Sequence, residues 1–184
     1  MNIEKEIRLK INDNDINNIK NISIPYKKDT HMIDITLGKY GFESLKKTGY
    51  IIRIRYKNNE YFIEIKKYLN NDECIEKSIK IAGLQEGIDF LNLLGFEIYL
   101  ILDRHREIRK YNNLLLYIDK FEDIGNYLEI EYQDSDIKEA YNFIDTLNLN
   151  KELQDKYGDI ISKKIKNDNK FKNEYNKRLS LYKK

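Results

Sequence analysis

Two Glu-x-Glu pairs, Glu4-Lys5-Glu6 and Glu129-Ile130-Glu131, lie in runs that alternate like β-strands near opposite ends of the sequence. Successive strand residues point to opposite faces, so both glutamates of a pair project from one side. Two carboxylates held about 7 Å apart repel by roughly 2 kcal/mol at an effective dielectric near 20. Gathered inside a fold, such pairs need cations, and neighbouring strands carry them: Arg8 and Lys10, Arg53 and Arg55, Lys66, Arg104 and Arg106, with Asp119 as a further carboxylate. Arg and Lys suit phosphate oxygens, Arg with bidentate geometry. Carboxylates repel phosphate, so acidic and basic groups in one cavity imply a bridging hard cation, Mg²⁺ or Mn²⁺, between Glu or Asp and a polyphosphate. That chemistry is recognition of a metal-bound triphosphate.

The elements that position these groups follow from periodicity. The first strand is expected over Ile3–Ile11, with an ionic parity (Glu4, Glu6, Arg8, Lys10) and a mostly apolar one. A helix is expected over Asp13–Lys20 with Ile16 and Ile19 inward, then a short strand over Met32–Ile35 and a helical turn from Phe42 to Thr48 ended by Gly49. Tyr50–Lys57 and Tyr61–Lys67 read as a hairpin about Asn58-Asn59. Glu73–Ile81 is a further strand, and Leu84–Leu94 a helix closed by Gly95. Three strands follow, Glu97–Ile108, Asn113–Phe121 and Tyr127–Tyr132. Ser135 is placed to cap a helix through Leu147, and a last helix is expected from near Asn150. Residues 163–184, rich in Lys and Asn, read either as a frayed helix with Phe171, Tyr175 and Leu179 on one side or as a disordered tail.

On strand after strand one face is ionic and the other Ile, Leu, Tyr or Phe. Amphipathic helices need the apolar face to cover. The expected fold is therefore α+β: a closed eight-stranded antiparallel β-barrel with helices packed outside and the ionic face lining a wet lumen, since unpaired buried ions are too costly. Residues 1–165 are expected to form this domain, and 166–184 a C-terminal helix or tail.

Composition narrows the function classes. Among 184 residues, 33 Lys+Arg nearly balance 31 Asp+Glu, leaving net charge +2. There is no global basic excess to mark a nucleic-acid binder. Cys74 is the single cysteine, which excludes an intrachain disulfide and suits a reducing compartment. No stretch has the length of a transmembrane helix and no apolar signal region opens the sequence, so the expectation is a cytoplasmic protein without membrane partners. His31 and His105 have no ligand spacing and read as surface or wall positions, His105 facing opposite to Arg104 and Arg106. Cys74 reads as structural, and Gly-rich phosphate loops are absent.

The same residues resemble the CYTH family, the triphosphate tunnel metalloenzymes, which include class IV adenylyl cyclases, thiamine triphosphatases and inorganic tripolyphosphatases. Glu4-Lys5-Glu6-Ile7-Arg8 is similar to the family's Glu-x-Glu-x-Lys, with Arg in place of Lys. Ile52-Arg53-Ile54-Arg55 resembles its Leu-Arg-x-Arg strand, and Glu64-Ile65-Lys66 its Thr-x-Lys. Arg104-His105-Arg106 resembles a later basic strand, and Asp119 through Gly125 to Tyr127-Leu128-Glu129-Ile130-Glu131 the closing signature. Tyr157, in Lys156-Tyr157-Gly158-Asp159, is similar to a late segment near the tunnel mouth.

The resemblance implies that Glu4, Glu6, Asp119, Glu129 and Glu131 hold one or two Mg²⁺ or Mn²⁺ ions. It implies phosphate binding by Arg8, Lys10, Arg53, Arg55, Lys66, Arg104 and Arg106, with Glu4, Glu6, Arg8 and Lys66 at the catalytic centre. Three functions stay open: hydrolysis of inorganic tripolyphosphate or a related organic triphosphate, the favoured one; cyclisation of ATP to cyclic AMP; and non-catalytic binding of a polyphosphate or nucleotide. The partner expected is a triphosphate-containing small molecule, on a monomer or homodimer. Departures from the family pattern at Arg8, which cannot exchange a proton as Lys can, and at Glu64 bear on the reaction more than on phosphate binding.

Overall fold

The computed structural model describes residues 5–69 and 74–183; Glu4 lies outside the described residues. Eight strands make one antiparallel sheet: β1 (Lys5–Ile11), β2 (Ile24–Gly38), β3 (Tyr50–Lys57), β4 (Glu60–Tyr68), β5 (Cys74–Ile81), β6 (Glu97–Tyr111), β7 (Leu114–Phe121) and β8 (Gly125–Tyr132). Six helices accompany them: α1 (Asp13–Ile22), α2 (Ser44–Thr48), α3 (Leu84–Leu93), α4 (Ile137–Thr146), α5 (Tyr157–Asn167) and α6 (Asn169–Ser180). The strand order is β1-β8-β7-β6-β2-β3-β4-β5. The described residues fall into two compact units, one within residues 5–31 and 104–155, the other within residues 32–69, 74–103 and 156–183.

The expected closure of the barrel is not made by hydrogen bonds: among the described residues, β1 and β5 are the two edges of the sheet. Both edges have a local reason. That of β1 is taken by the chain itself, where Leu153 bridges to Leu9 and the Gln154 amide donates to the Arg8 carbonyl at 2.9 Å. The β5 edge exposes Lys77 and Lys80, charges that discourage strand addition.

In the first unit the apolar parity of β1, β7 and β8 packs under α1 and α4. Ile7, Leu9, Leu116, Ile118, Leu128 and Ile130 meet Ile16, Ile19, Phe143 and Ile144, all buried. Helix α1 starts with a reciprocal capping box between Asn12 and Asp15, which satisfies donors that the first turn leaves orphaned. Its last turn is held by Arg109 of β6, which donates to the Lys20 carbonyl (3.1 Å), the Ser23 carbonyl and the Ser23 hydroxyl (2.8 Å).

In the second unit Ile35, Leu37 and Ile54 pack against Ile88 and Leu91 of α3. Gly87 brings α3 against β3 and β5, since a Cβ there lies 2.6 Å from Ile81 Cδ1 and 3.0 Å from Ile54 Cδ1. Helices α5 and α6 bury Tyr157, Ile161, Phe171 and Tyr175, and the Tyr175 hydroxyl accepts from the Ile101 amide at 2.7 Å. In each unit, then, the helices lie on the apolar parity and the ionic parity is left to the other face.

The β3–β4 turn has the form its residues predict, with Asn58 and Asn59 both at positive φ (53° and 63°), as a type I′ hairpin requires. Three expectations differ. β2 begins at Ile24, eight residues early, because its first half is an exposed ribbon with no apolar alternation to reveal it. Ser135 sits within a 3₁₀ turn (Asp134–Asp136), and α4 starts at Ile137 without a side-chain cap. The helix expected near Asn150 begins at Tyr157, because residues 153–154 are used along β1.

Candidate functional site

Each unit carries its own lattice of ion pairs on the face its helices leave uncovered. In the first, register sets Glu6 opposite Glu131, Arg8 opposite Glu129, and Arg106 opposite Asp119. Arg8 Nε donates to Glu129 Oε1 at 2.9 Å and its Nη2 to Glu6 Oε1 at 2.8 Å, while Nη1 reaches the Asp155 carbonyl at 3.0 Å. Arg106 donates from Nε to Asp119 Oδ1 at 2.6 Å and from Nη2 to Glu129. Arg104 Nε lies 3.4 Å from Asp119 Oδ1. Asp119 is fully buried, and Arg8, Arg104 and Glu129 are below a tenth exposed. Burial alone pushes the Glu129 carboxyl up, but Arg8 and Arg106 outweigh it and hold Glu129 well below the usual carboxylate range.

Glu131 is half-buried and accepts a hydrogen bond from the Tyr117 hydroxyl, while the Tyr117 ring lies 4.8 Å beneath the Arg106 guanidinium. Tyr127 is buried on the same parity, edge-on to Phe121, and burial raises its phenol above the ordinary value. Lys10 stands exposed at the end of this row, opposite Tyr127.

The second unit gathers Arg53, Arg55 and Lys66 with three carboxylates. Arg55 forms a two-pronged pair with the fully buried Asp34, Nε to Oδ1 at 2.6 Å and Nη2 to Oδ2 at 2.9 Å. Arg53 Nε donates to Glu64 Oε2 at 2.8 Å, and the same oxygen lies 3.0 Å from Arg55 Nη1. Glu76 of β5 stands opposite Lys66 and 3.4 Å from Arg53. Burial works against charge on both Arg53 and Glu76. The Asp34, Glu76 and Glu64 carboxylates nonetheless raise Arg53 further above its already basic range, and Arg53 and Arg55 hold Glu76 below the ordinary glutamate value.

The structure thus brings Glu6, Arg8, Arg104, Arg106, Asp119, Glu129 and Glu131 together in one unit, and Arg53, Arg55 and Lys66 in the other. Asp34, Glu76 and Tyr117 belong to these lattices and were missed. Strand parity could have found the first two: Asp34 interrupts an otherwise apolar run two residues from Met32 and Thr36, and Glu76 shares its parity with Ser78 and Lys80. Tyr117 carries no such signal, because tyrosine suits either face. The two histidines, read as isolated, are exposed but stack on one another with ring centroids 4.9 Å apart.

Among the described residues no group of three or more His, Cys, Asp or Glu side chains is arranged to hold a metal ion. Asp119 and Glu129 are engaged by arginines, and Glu6 by Arg8 Nη2. Glu6 and Glu131 are the acidic pair set directly across two strands, a placement that is unfavourable for like charges and that a hard cation relieves.

Known proteins share this architecture. A chain from Methanocaldococcus jannaschii named "Putative adenylate cyclase" is 28% identical over 144 residues, covering 74% of this chain and 81% of that one. A conserved hypothetical protein from Pyrococcus furiosus superposes with a TM-score of 0.73 at 21% identity, over 85% of this chain and 98% of that one. A Hippeastrum protein whose structure is described as a "Putative adenylyl cyclase" revealing a dominant triphosphatase activity superposes with a TM-score of 0.51 at 16% identity, over 81% and 89% of the two chains. A family model, CYTH domain, matches residues 2–163. With its opening and closing acidic signatures on adjacent strands of the sheet, this chain belongs to the CYTH domain family.

Proposed function

We propose that the protein is a divalent-metal-dependent triphosphatase acting on inorganic tripolyphosphate or a related organic triphosphate. The observation that carries this reading is the pair of arginine–carboxylate lattices, in which Arg8, Arg53, Arg55 and Arg106 are oriented by hydrogen bonds to carboxylates and Arg104 is ion-paired with Asp119. Phosphoryl transfer asks a protein chiefly for positioning and charge neutralisation, and guanidinium groups pre-set in a sheet supply both. Arg8, Arg104 and Arg106 in one unit, and Arg53, Arg55 and Lys66 in the other, are the groups that take phosphate oxygens, with Lys10 at the margin. Arg8 is the basic residue at the centre of the acidic signature. Being permanently charged, it stabilises negative charge and does not serve as a proton donor.

Glu6 and Glu131, with Glu4, Asp119 and Glu129, are the carboxylates that would hold Mg²⁺ or Mn²⁺. Such an ion neutralises phosphate charge and lowers the pKa of a bound water. Glu131 keeps its orientation through the hydrogen bond it accepts from the Tyr117 hydroxyl.

The name of the Methanocaldococcus relative supports a second reading, cyclisation of ATP to cyclic AMP and pyrophosphate. It uses the same phosphate grip but directs the ribose 3′-hydroxyl at the α-phosphate. The test is phosphate release from tripolyphosphate, thiamine triphosphate and ATP with Mg²⁺ or Mn²⁺, against a chelator control, with cyclic AMP followed in the ATP sample. Chelator-sensitive release from tripolyphosphate is expected. Cyclic AMP without phosphate release would transfer the assignment to the cyclase, and silence in both assays would leave a binding protein.

A further inference from the structure

The lattice of the second unit is balanced charge for charge. Arg53, Arg55 and Lys66 meet Asp34, Glu64 and Glu76, so these six groups together carry no net charge for an arriving polyanion. The three carboxylates are not equivalent. Asp34, fully buried and two-pronged, fixes Arg55 from below. Glu76 is the loosest, 3.4 Å from Arg53 and 4.0 Å from Arg55, with its side chain 23% exposed. Glu64 is the one that engages both arginines closely, one oxygen placed 2.8 Å from Arg53 and 3.0 Å from Arg55, and it is 2% exposed. Register explains the position, since Glu64 stands directly opposite Arg53 across the β3–β4 hairpin.

A carboxylate oxygen shared by two guanidinium groups occupies the place a phosphate oxygen takes in the same fork geometry. We propose that Glu64 is a built-in competitor of the substrate: it occupies Arg53 and Arg55 in the unliganded protein, and so sets both the affinity and the minimum charge of the polyphosphate that can be held. This rests on the triphosphate reading above and sharpens it. A polyanion must displace Glu64 or share its arginines while lying beside its charge. A tripolyphosphate has enough phosphates to engage other cations and offset that cost, whereas pyrophosphate has fewer. Short phosphates, including a product of tripolyphosphate hydrolysis, are thereby held weakly.

The test is isothermal titration of the 184-residue chain with inorganic tripolyphosphate and with pyrophosphate, in chelator and again with Mg²⁺ in its place, for the wild type, Glu64→Gln, Glu64→Asp and Glu76→Gln. Glu64→Gln is expected to bind tripolyphosphate about tenfold more tightly and to gain measurable pyrophosphate binding, because one like charge leaves the site. Glu64→Asp keeps the charge and is expected to stay within about threefold of wild type, which a packing role for Glu64 does not predict. Glu76→Gln removes a charge from the same lattice while losing only long contacts, and a smaller tightening of about threefold is expected; it carries the test if Glu64→Gln does not fold. Wild-type binding of tripolyphosphate with no tightening in the folded Gln variants overturns the role of Glu64 alone. No binding by the wild type or any folded variant, either in chelator or with Mg²⁺, overturns the triphosphate reading, and this inference with it.

Discussion

Glu129 and Glu131 are two residues apart on one strand and one face, yet neutralising them should have opposite consequences. Glu129 is 6% exposed and accepts from both Arg8 and Arg106. Changing it to Gln leaves two buried guanidinium groups short of an anion, and removing one partner of a buried pair costs about 3–5 kcal/mol. The amide oxygen retains one acceptor, so about 3 kcal/mol is expected. Glu131 instead faces Glu6 across the β1–β8 ladder, its hydroxyl partner Tyr117 can donate equally to an amide oxygen, and it is half-exposed. Opposed like charges on a strand pair destabilise by about 0.2–1 kcal/mol, so Glu131→Gln should be neutral or stabilising by up to that amount.

The pH dependence separates the two further. Glu129 titrates below the ordinary range when folded, so its stabilisation is fully present above the unfolded pKa of about 4.3 and is lost as pH falls through the lower folded value. Urea unfolding of wild type and Glu129→Gln at pH 7 and at about pH 3.5 is the assay. The gap between the two proteins should be widest at pH 7 and narrow in acid. A Glu129→Gln protein within about 1 kcal/mol of wild type at pH 7, with an unchanged acid profile, would refute the view that this lattice is held by the carboxylate's charge.

Three further outcomes are expected. Arg109→Met removes the donors that hold the last turn of α1 and the partner of Glu107, and should lower unfolding free energy by about 2–4 kcal/mol, read from the urea midpoint at constant slope. Gly38→Ala places a methyl 2.1 Å from Ser44 Oγ and 2.7 Å from Ser44 Cβ, an overlap the start of α2 must yield to, so a loss of about 1–3 kcal/mol is expected by thermal denaturation. Arg53→Met should raise KM for tripolyphosphate by about tenfold or more, since it removes a charged hydrogen-bonding group from the phosphate grip; an unchanged KM would take Arg53 out of the site.

Much of this was legible because the strands alternate so strictly. The parity of Ile7, Leu9 and Ile11 against Glu6, Arg8 and Lys10 places helices on one side and ions on the other, and the burial of β1 follows it. The two asparagines at the β3–β4 turn and Gly49 after α2 are equally local signals, borne out by positive φ at all three. What could not be read depends on groups distant in sequence. The edge of β1 is covered by residues 153–154, a pairing no periodicity announces, and two-faced strands under amphipathic helices do not by themselves tell a closed barrel from a sheet with two edges. Arg109 of β6 finds its partners at the end of α1, where Lys20 and Ser23 take its Nε and Nη2 donors, and in Glu107, none of which the alternation of β6 announces. The stacking of His31 on His105 likewise pairs residues distant in sequence, with His31 in the part of β2 that precedes its apolar pattern.

The ion pairs also explain why arginine outnumbers lysine on these faces while the chain as a whole is rich in lysine. Expectation placed the charges in a water-filled lumen because buried unpaired ions are too costly; the lattices meet that cost by pairing nearly every one of them. A lysine in place of Arg55 could not keep both Asp34 oxygens and still reach Glu64, since an ammonium is a point charge without a fork. With a guanidinium, one edge stays on the buried carboxylate while another is turned towards the open side of the sheet. Buried carboxylates in a phosphate-binding protein are then not a contradiction: Asp34 and Asp119 hold arginines by one edge, which fixes orientation before any ligand arrives and reduces the ordering cost when it does. Within the second unit Glu64 differs from Asp34 because one of its oxygens lies close to two arginines at once, and that makes it the carboxylate of this lattice whose removal should strengthen binding, where removal of Asp34 should weaken it.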